Sequence, residues 1–150
     1  MSEKRLVHAY VALGSNIEPR REYLEQALAR LGALEGTRLV AASPVEETQP
    51  VGVPEEFKAQ MFLNQVAVFE TALGPYEFSR AMHAIEDDLG RVRGPVRNTP
   101  RTIDVDLIDF GGMVSDDPEL TLPHPRWLER DFVRIPVEEL RREISQRTSP

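Results

Sequence analysis

Short apolar runs alternate with longer amphipathic stretches along this chain, and their order limits the folds open to it. Residues Leu6 to Leu13 form an apolar run that Gly14 ends, which is typical of a buried strand. From Arg20 to Leu34, apolar side chains recur three and four positions apart, so this stretch predicts an amphipathic helix. A second strand is predicted over Thr37 to Val45, interrupted late by Pro44.

The middle of the chain repeats the same order of elements. Phe62 to Thr71 predicts a third strand, and Pro75 to Leu89 predicts a second amphipathic helix. Thr102 to Phe110 predicts a fourth strand, after which Gly111-Gly112 turns the chain. The order βαββαβ predicts an α+β fold with a ferredoxin-like core, in which helices flank an antiparallel sheet.

The remaining segments are less regular. Glu46 to Gln60 and Arg91 to Pro100 combine proline, glycine and polar residues, which predicts two loops. Leu120 to Leu122 is long enough for a short partner strand, and His124 to Phe132 reads as irregular with room for one helical turn. A terminal helix is predicted over Val137 to Ser145, as a C-terminal extension of the core.

Length and composition exclude several classes of protein. The 150 residues suit one domain, so we expect a single domain over residues 1–150. The chain has no cysteine, which excludes disulfides, thiolate metal sites and cysteine nucleophiles. Its net charge of −7 argues against nucleic-acid binding, and no apolar run approaches the ~20 residues that span a bilayer. We therefore expect a cytoplasmic monomer that contacts neither nucleic acid nor membrane.

Two aspartates in the fourth predicted strand are the first candidates for chemistry. Asp104 and Asp106 are two positions apart, so both side chains share one face of the strand while Val105 faces the core. Strict alternation puts Asp109 on the other face. Paired carboxylates repel each other, and a magnesium ion resolves that repulsion by taking carboxylates together with substrate phosphates. The alternative is an exposed polar face of an edge strand.

The loop before this strand is the most positive stretch of an acidic chain. Residues 91–101, which comprise this loop and the residue after it, carry four arginines and no acid: Arg91, Arg93, Arg97 and Arg101. Guanidinium groups grip phosphate oxygens through paired hydrogen bonds, so the loop is a candidate polyphosphate clamp. The alternative is a solvated basic loop. Beside the acidic pair, the loop favours a magnesium–nucleotide site.

The segment around these residues resembles a known family. Arg97 to Ile108 (RNTPRTIDVDLI) resembles the signature of the hydroxymethyldihydropterin pyrophosphokinases, enzymes of folate synthesis. Other segments agree in the family's order: Tyr10–Asn16 (YVALGSN), Thr48–Gly52 (TQPVG), Phe62–Asn64 (FLN), Ile85-Glu86, Gly90–Arg93 (GRVR), Leu122–Pro125 (LPHP) and Arg130–Phe132 (RDF). The ordered set is far more specific than any one of its parts.

The resemblance implies a reaction and its participants. Members transfer a pyrophosphoryl group from ATP to the hydroxymethyl group of a reduced pterin, giving the pterin diphosphate and AMP. By resemblance, Asp104 and Asp106 bind two Mg²⁺ ions and act in catalysis with Arg91 and Arg101. Such chemistry is mostly positioning and electrostatic stabilisation, and it needs no protein nucleophile.

The resemblance also assigns the two substrate pockets. For ATP it implies His83, Glu86, Arg91, Arg93, Arg97, Arg101, Leu107, Thr121, His124 and Arg130. For the pterin it implies Thr48, Val51, Phe62, Asn64 and Phe132. Flat rings stack well between Phe62 and Phe132, and the Asn64 amide offers both a donor and an acceptor to an aminopyrimidinone edge.

Two other readings stay open on the sequence. One is a different magnesium-dependent nucleotidyltransferase, which would pair the Gly14-Ser15 turn with the acidic pair, although these lie far apart in the chain. The other is a non-catalytic, ferredoxin-like ligand-binding domain, which has no need of an arginine loop beside two aspartates. Pterin-dependent formation of AMP separates all three readings.

Overall fold

A computed structural model describes residues 5–48, 61–90 and 103–148 of the chain. Its strands are β1 (Val7–Ser15), β2 (Thr37–Ala42), β3 (Glu46–Thr48), β4 (Phe62–Thr71), β5 (Asp104–Phe110), β6 (Ser115–Asp117) and β7 (Leu120–Leu122). Its helices are α1 (Arg20–Gly32), α2 (Pro75–Gly90), a 3₁₀ turn (Trp127–Glu129) and α3 (Asp131–Thr148). The loop predicted over Arg91 to Pro100 and residues 49–60 lie outside the described residues.

The main sheet has the strand order β2-β4-β1-β5, with β3 also pairing with β4. Every neighbouring pair is antiparallel. Together with the chain order β1-α1-β2-β4-α2-β5, this arrangement confirms the predicted α+β fold with a ferredoxin-like core. No helix in the described parts of the chain is long and apolar enough to cross a membrane.

One face of the sheet packs against α1 and α2. Three aromatic rings lie at the centre of this core: the Phe78 ring is 6.4 Å from Phe69 and 5.8 Å from Phe110, centroid to centroid. The predicted helical spacing places the apolar side chains of both helices here: Leu24, Ala27, Leu31, Phe78, Met82, Ile85 and Leu89. Burial of these side chains is what holds the two helices on the sheet.

The other face of the sheet packs against α3, through Val133, Val137, Leu140 and Ile144. The prediction that this helix starts at Val137 is wrong, since α3 begins at Asp131 and contains Pro136. A proline inside a helix lacks a backbone donor and is normally destabilising. Here the apolar stripe begins at Val133, before the proline, so burial on the sheet favours a helix that runs through it.

Three predicted boundaries at the edges of strands are also wrong. β1 continues through Gly14 to Ser15, because Gly14 pairs with Asn64 on one side and Asp104 on the other. The strand predicted over Thr37 to Val45 ends at Ala42. Glu46 to Thr48, predicted as loop, forms β3 by pairing with the start of β4. In each case, pairing with a neighbouring strand decides the boundary.

A β-bulge between β1 and β5 corrects the face assigned to Asp109. Tyr10 pairs with Asp109 while the next residue, Val11, pairs with Leu107, so Ile108 is an extra residue in β5. Strict alternation fails at that point. Ile108 packs in the core beside α3, and the Asp109 carboxylate contacts Arg141 on α3.

The aromatic centre of the core gives a stability prediction. Phe78→Ala should lower the free energy of unfolding by ~3–5 kcal/mol, since it removes a fully buried ring and leaves a cavity. Val114→Ala, at a side chain that is 84% exposed, should change it by less than ~0.5 kcal/mol. Urea unfolding of both variants measures the difference, and equal losses would contradict this description of the core.

Candidate active site

A cleft of ≈ 560 Å³ opens on the α3 side, at the edge of the sheet where β1 ends and β4 and β5 begin. Antiparallel pairing brings these three strand ends together, because Gly14 stands opposite both Asn64 and Asp104. The sheet supplies one wall through Ala12, Leu13, Gly14, Thr48, Phe62, Asn64, Gln65, Val66, Asp104 and Asp106. The facing wall comes from the chain that leads into α3.

Asp104 and Asp106 lie at the floor of this cleft. Both are partly exposed, whereas Val105 between them is buried, as the strand period predicts. Their cross-strand neighbours on β1 are Gly14 and Ala12. Residues directly opposite each other share one face of a sheet, so two of the smallest side chains leave room for a ligand beside the carboxylates.

Glu86 on α2 holds the start of β5 in place from the side of the strand away from the cleft. It is buried, and its Oε2 accepts a hydrogen bond of 2.8 Å from the backbone N–H of Val105. Its Oε1 lies 3.5 Å from Nδ1 of His83. A buried carboxylate bonded to the strand between the two aspartates restricts how far that strand can shift.

Asn64 is packed closely between two neighbours. Its Nδ2 donates a hydrogen bond of 2.5 Å to Oγ1 of Thr48 on β3. A Cβ atom at position 14 would stand 3.1 Å from Asn64 Oδ1, which is a tight contact. The absence of a side chain at Gly14 therefore leaves room for the Asn64 amide. The oxygen and the second N–H of this amide retain hydrogen-bonding capacity.

The facing wall is formed by residues 124–133, here called the wall segment. It begins with a backbone hydrogen bond of 2.8 Å from His124 N–H to the Ile108 carbonyl and ends in the first turn of α3. Its cleft-lining residues are Arg126, Glu129, Arg130, Asp131, Phe132 and Val133. The cleft thus has two aromatic rings, Phe62 and Phe132, on opposite walls, with charges of both signs between them.

The cleft brings together seven of the residues that the sequence nominates: Thr48, Phe62, Asn64, Asp104, Asp106, Arg130 and Phe132. Five other nominees do not line it in the described parts of the chain: His83, Glu86, Leu107, Thr121 and His124. Leu107 is buried in the core beside the helices, and Thr121 donates to the Asp117 carbonyl. Val51, Arg91, Arg93, Arg97 and Arg101 lie outside the described residues.

Four polar residues of the cleft were not nominated from the sequence: Gln65, Arg126, Glu129 and Asp131. The last three belong to a short, highly charged stretch within a segment predicted to be irregular, and that charge density is a usable signal. Gln65 gives no such signal. It follows Asn64 in β4, and its Nε2 donates 2.8 Å to the Ser43 carbonyl, a contact that only the pairing of strands reveals.

Comparison with known proteins agrees on one family. The family model for 7,8-dihydro-6-hydroxymethylpterin-pyrophosphokinase (HPPK) matches residues 10–142. The 2-amino-4-hydroxy-6-hydroxymethyldihydropteridine pyrophosphokinase of Bacillus subtilis is 38% identical over 138 residues, which cover 92% of this chain and 80% of that protein. The protein of the same name from Pseudomonas aeruginosa is 41% identical over 131 residues, covering 87% and 78%.

A solved structure supports the fold independently. The crystal structure of Plasmodium falciparum HPPK-DHPS with pteroate matches with a TM-score of 0.59 at 13% identity. The match covers 92% of this chain and 39% of that one. At this identity, the likeness shows the shared fold.

The hydrogen bond between Glu86 and Val105 gives a prediction for the stability of β5 at the site. Glu86→Ala should cost ~1–3 kcal/mol of unfolding free energy, because the Val105 N–H loses its acceptor. Glu86→Gln keeps an acceptor oxygen and should cost less, and Asp87→Ala, at the exposed neighbour, should be near neutral. Amide exchange at Val105 and urea unfolding are the measurements. Unchanged exchange at Val105 in Glu86→Ala would contradict the role of this bond.

Proposed function

Because the chain belongs to the 7,8-dihydro-6-hydroxymethylpterin-pyrophosphokinase family, we propose that the cleft between the strand ends and the wall segment is where its two substrates meet. The enzyme transfers a pyrophosphoryl group from ATP to the hydroxymethyl group of 6-hydroxymethyl-7,8-dihydropterin. The products are the pterin diphosphate and AMP, in tetrahydrofolate biosynthesis. The observation that carries the assignment of the site is the acidic pair, which shares one cleft with Asn64, Phe62 and Phe132.

Asp104 and Asp106 are proposed to hold two Mg²⁺ ions. The donor set fits, since both carboxylates offer hard oxygen ligands on one partly exposed face, beside the small residues Gly14 and Ala12. When bound, the ions supply positive charge that neutralises the phosphate chain on the attacking and leaving sides. The chain's own part is to fix these carboxylates on a strand that Glu86 anchors from behind.

The pterin is proposed to lie between Phe62 and Phe132, which line opposite walls of the cleft. Asn64 then offers its amide oxygen and its second N–H to the ring edge, while Thr48 keeps the amide oriented. Backbone groups near Thr48 and Val51 would add further hydrogen bonds. Stacking alone tolerates many flat rings, so the selectivity for a pterin comes from the hydrogen-bonding groups around Asn64.

The triphosphate of ATP is proposed to contact Arg130, which lines the cleft. By resemblance, Arg91, Arg93, Arg97 and Arg101 are also proposed to bind ATP. Arg126 adds a further positive side chain to the wall segment. The resemblance also assigns five residues outside the described cleft walls to ATP: His83, Glu86, Leu107, Thr121 and His124. Of the clamp arginines, Arg91 and Arg101 are the candidates for contacts to the charge that develops in the transition state.

The chemical step balances without a protein nucleophile. The hydroxymethyl oxygen of the pterin attacks the β-phosphorus, and a new P–O bond forms to that oxygen. The bond from the β-phosphorus to the oxygen that bridges it to the α-phosphorus breaks, AMP leaves with that oxygen, and the hydroxyl proton passes to solvent. The protein contributes orientation and electrostatic complementarity, which account for most of the rate in this class of reaction.

Length and net charge support proposals about the whole chain. The net charge of −7 favours a protein that does not bind nucleic acid. The length of 150 residues suits one domain over residues 1–150, and we propose that this domain is a cytoplasmic monomer.

The assay that tests the reaction combines the protein with ATP, magnesium and hydroxymethyldihydropterin. We expect AMP to form only when the pterin is present, in equal amount to the pterin diphosphate. AMP or pyrophosphate without pterin would indicate a different nucleotidyltransferase. No turnover would favour a ligand-binding domain, so either result contradicts the proposed function.

The acidic pair gives the sharpest prediction for catalysis. Asp104→Asn or Asp106→Asn should lower kcat by about 10³-fold, or ~4 kcal/mol, because each removes a charged metal ligand. Folding should be intact or slightly more stable, since each change removes one of two like charges. Glu25→Gln removes an exposed carboxylate on α1 and should leave kcat unchanged. A rate like that of the wild type in either aspartate variant would contradict the metal assignment.

A single methyl group at position 14 tests the role of Asn64. Gly14→Ala brings a Cβ to 3.1 Å from Asn64 Oδ1, a tight contact that a small shift of the amide relieves. The KM for the pterin should rise about 3- to 10-fold, which is the value of one hydrogen bond. Gly32→Ala makes the same change where the nearest atom is 3.9 Å away, and it serves as the control. An unchanged KM for the pterin in Gly14→Ala would contradict the proposal for Asn64.

A further inference from the structure

We propose that Arg141 is a positioning residue, which fixes the wall segment against the sheet and so sets where Phe132 stands opposite Asp104 and Asp106. It lies on α3 and is not among the residues that line the cleft in the described parts of the chain. The kinetic part of this inference rests on the proposed function, whereas the structural part does not.

The Arg141 guanidinium lies close to two aromatic rings that belong to different parts of the fold. Its central carbon is 5.1 Å from the ring centroid of Tyr10 and 5.4 Å from that of Trp127. Both distances are within the range of a cation–π interaction. Tyr10 is on β1, the central strand, and Trp127 is in the wall segment. One side chain therefore joins the wall segment to the sheet.

Asp109 fixes the guanidinium from a third direction. Its Oδ2 lies 3.3 Å from a terminal nitrogen of Arg141, and it also accepts the Gly112 N–H at 3.3 Å. The Asp109 side chain is only 12% exposed, against 42% for Arg141. A nearly buried carboxylate that lost its cationic partner would be strongly destabilised, so the pair favours one place for the arginine.

The hydroxyl group of Tyr10 is also affected by Arg141. Burial raises the pKa of the Tyr10 hydroxyl, with the positive charge and hydrogen bond of Arg141 acting against that rise. The hydroxyl therefore stays protonated at neutral pH, and the ring beneath the guanidinium stays neutral. The β-bulge makes the arrangement possible, because it pairs Tyr10 with Asp109.

The wall segment depends on this contact because few of its side chains are buried. His124 ties one end to the Ile108 carbonyl, and Val133 is buried at the other end. Between them, the described apolar side chains that pack against the α3-side core are Trp127 and Phe132, while Leu128 is 60% exposed. Without the contact between Arg141 and Trp127, the middle of the wall segment would be held less firmly. The Phe132 ring would then be less fixed in orientation.

The chemistry of arginine suits this position better than that of lysine. A planar guanidinium can stack on Trp127 while its edge pairs with Asp109, whereas an ammonium group is a point charge without a plane. We therefore expect Arg141→Lys to keep the ion pair but lose most of the stacking. Arg141→Met keeps the length of the apolar stem and loses both.

The experiment compares Arg141→Met and Arg141→Lys with Arg142→Met, which removes a charge from the exposed neighbouring residue. Trp127 is the only tryptophan of the chain, so quenching of its fluorescence by acrylamide reports directly on the wall segment. We expect stronger quenching in Arg141→Met and a KM for the pterin raised about 10- to 100-fold, as for a misplaced binding group. Arg141→Lys should fall in between, and Arg142→Met should match the wild type in both measurements.

A purely structural role for Arg141 would give a different result. A lower melting temperature in Arg141→Met, with quenching of Trp127 and the KM for the pterin unchanged at a temperature where the variant is folded, would overturn the proposal. If Arg141→Met does not fold, the same two measurements on Arg141→Lys decide. If the wild type makes no AMP from pterin and ATP, the proposed function fails, while the quenching comparison still tests the anchor.

Discussion

The candidate site depends above all on the pairing of β1 with strands on both sides. β1 lies between β4 and β5, and its last residues bring Asn64 and Asp104 to opposite sides of Gly14. Without this double pairing, the two carboxylates and the Asn64 amide, which are distant in sequence, would share no cleft. The absence of a side chain at Gly14 and the small one at Ala12 then keep the floor of the cleft open. The pairing of the backbone thus determines where the few side chains that carry the proposed chemistry meet.

The two faces of the sheet make different contributions. The face beneath α1 and α2 is a closely packed apolar core, and through Glu86 it also holds β5 from behind. The face beneath α3 is apolar near the bulge and open at the strand ends, where the wall segment crosses it. Arg141 lies where these two regions of the second face meet, in contact with the central strand, with Asp109 on β5 and with the wall segment. Stability of this face and placement of the cleft wall are therefore coupled through one residue.

Much of the fold follows from local patterns in the sequence. The βαββαβ order, the buried faces of α1 and α2 and the shared face of Asp104 and Asp106 all come from periods of 3.6 and 2 residues, which act over short distances. What local patterns miss depends on partners that are distant in sequence. β3 exists because β4 offers it an edge, and α3 passes through Pro136 because Val133 is buried on the sheet. Asp109 lies on the α3 face rather than on the predicted one, because strict alternation cannot reveal the β-bulge at Ile108.

The residues of the candidate site also divide into those that local patterns indicate and those that depend on distant contacts. Residues in a recognisable motif, such as Asp104, Asp106 and Asn64, could be nominated from the sequence, and the cleft brings them together. Gln65 and Arg126 could not, since their position in the cleft depends on how strands and the wall segment pack. The anchoring of Trp127 by Arg141 likewise needs four elements in contact, and no short motif encodes it.

Locating the metal in the complete complex tests directly whether Asp104 and Asp106 hold the magnesium ions. With a nonhydrolysable ATP analogue and hydroxymethyldihydropterin bound, Mn²⁺ in place of Mg²⁺ should broaden the amide NMR signals of nearby residues. We predict the strongest broadening at Ala12, Gly14, Asp104 and Asp106, and much weaker broadening at Gly32 on α1, which packs on the opposite face of the sheet. Broadening centred away from these strand ends, or unchanged by replacing both aspartates with asparagine, would contradict it.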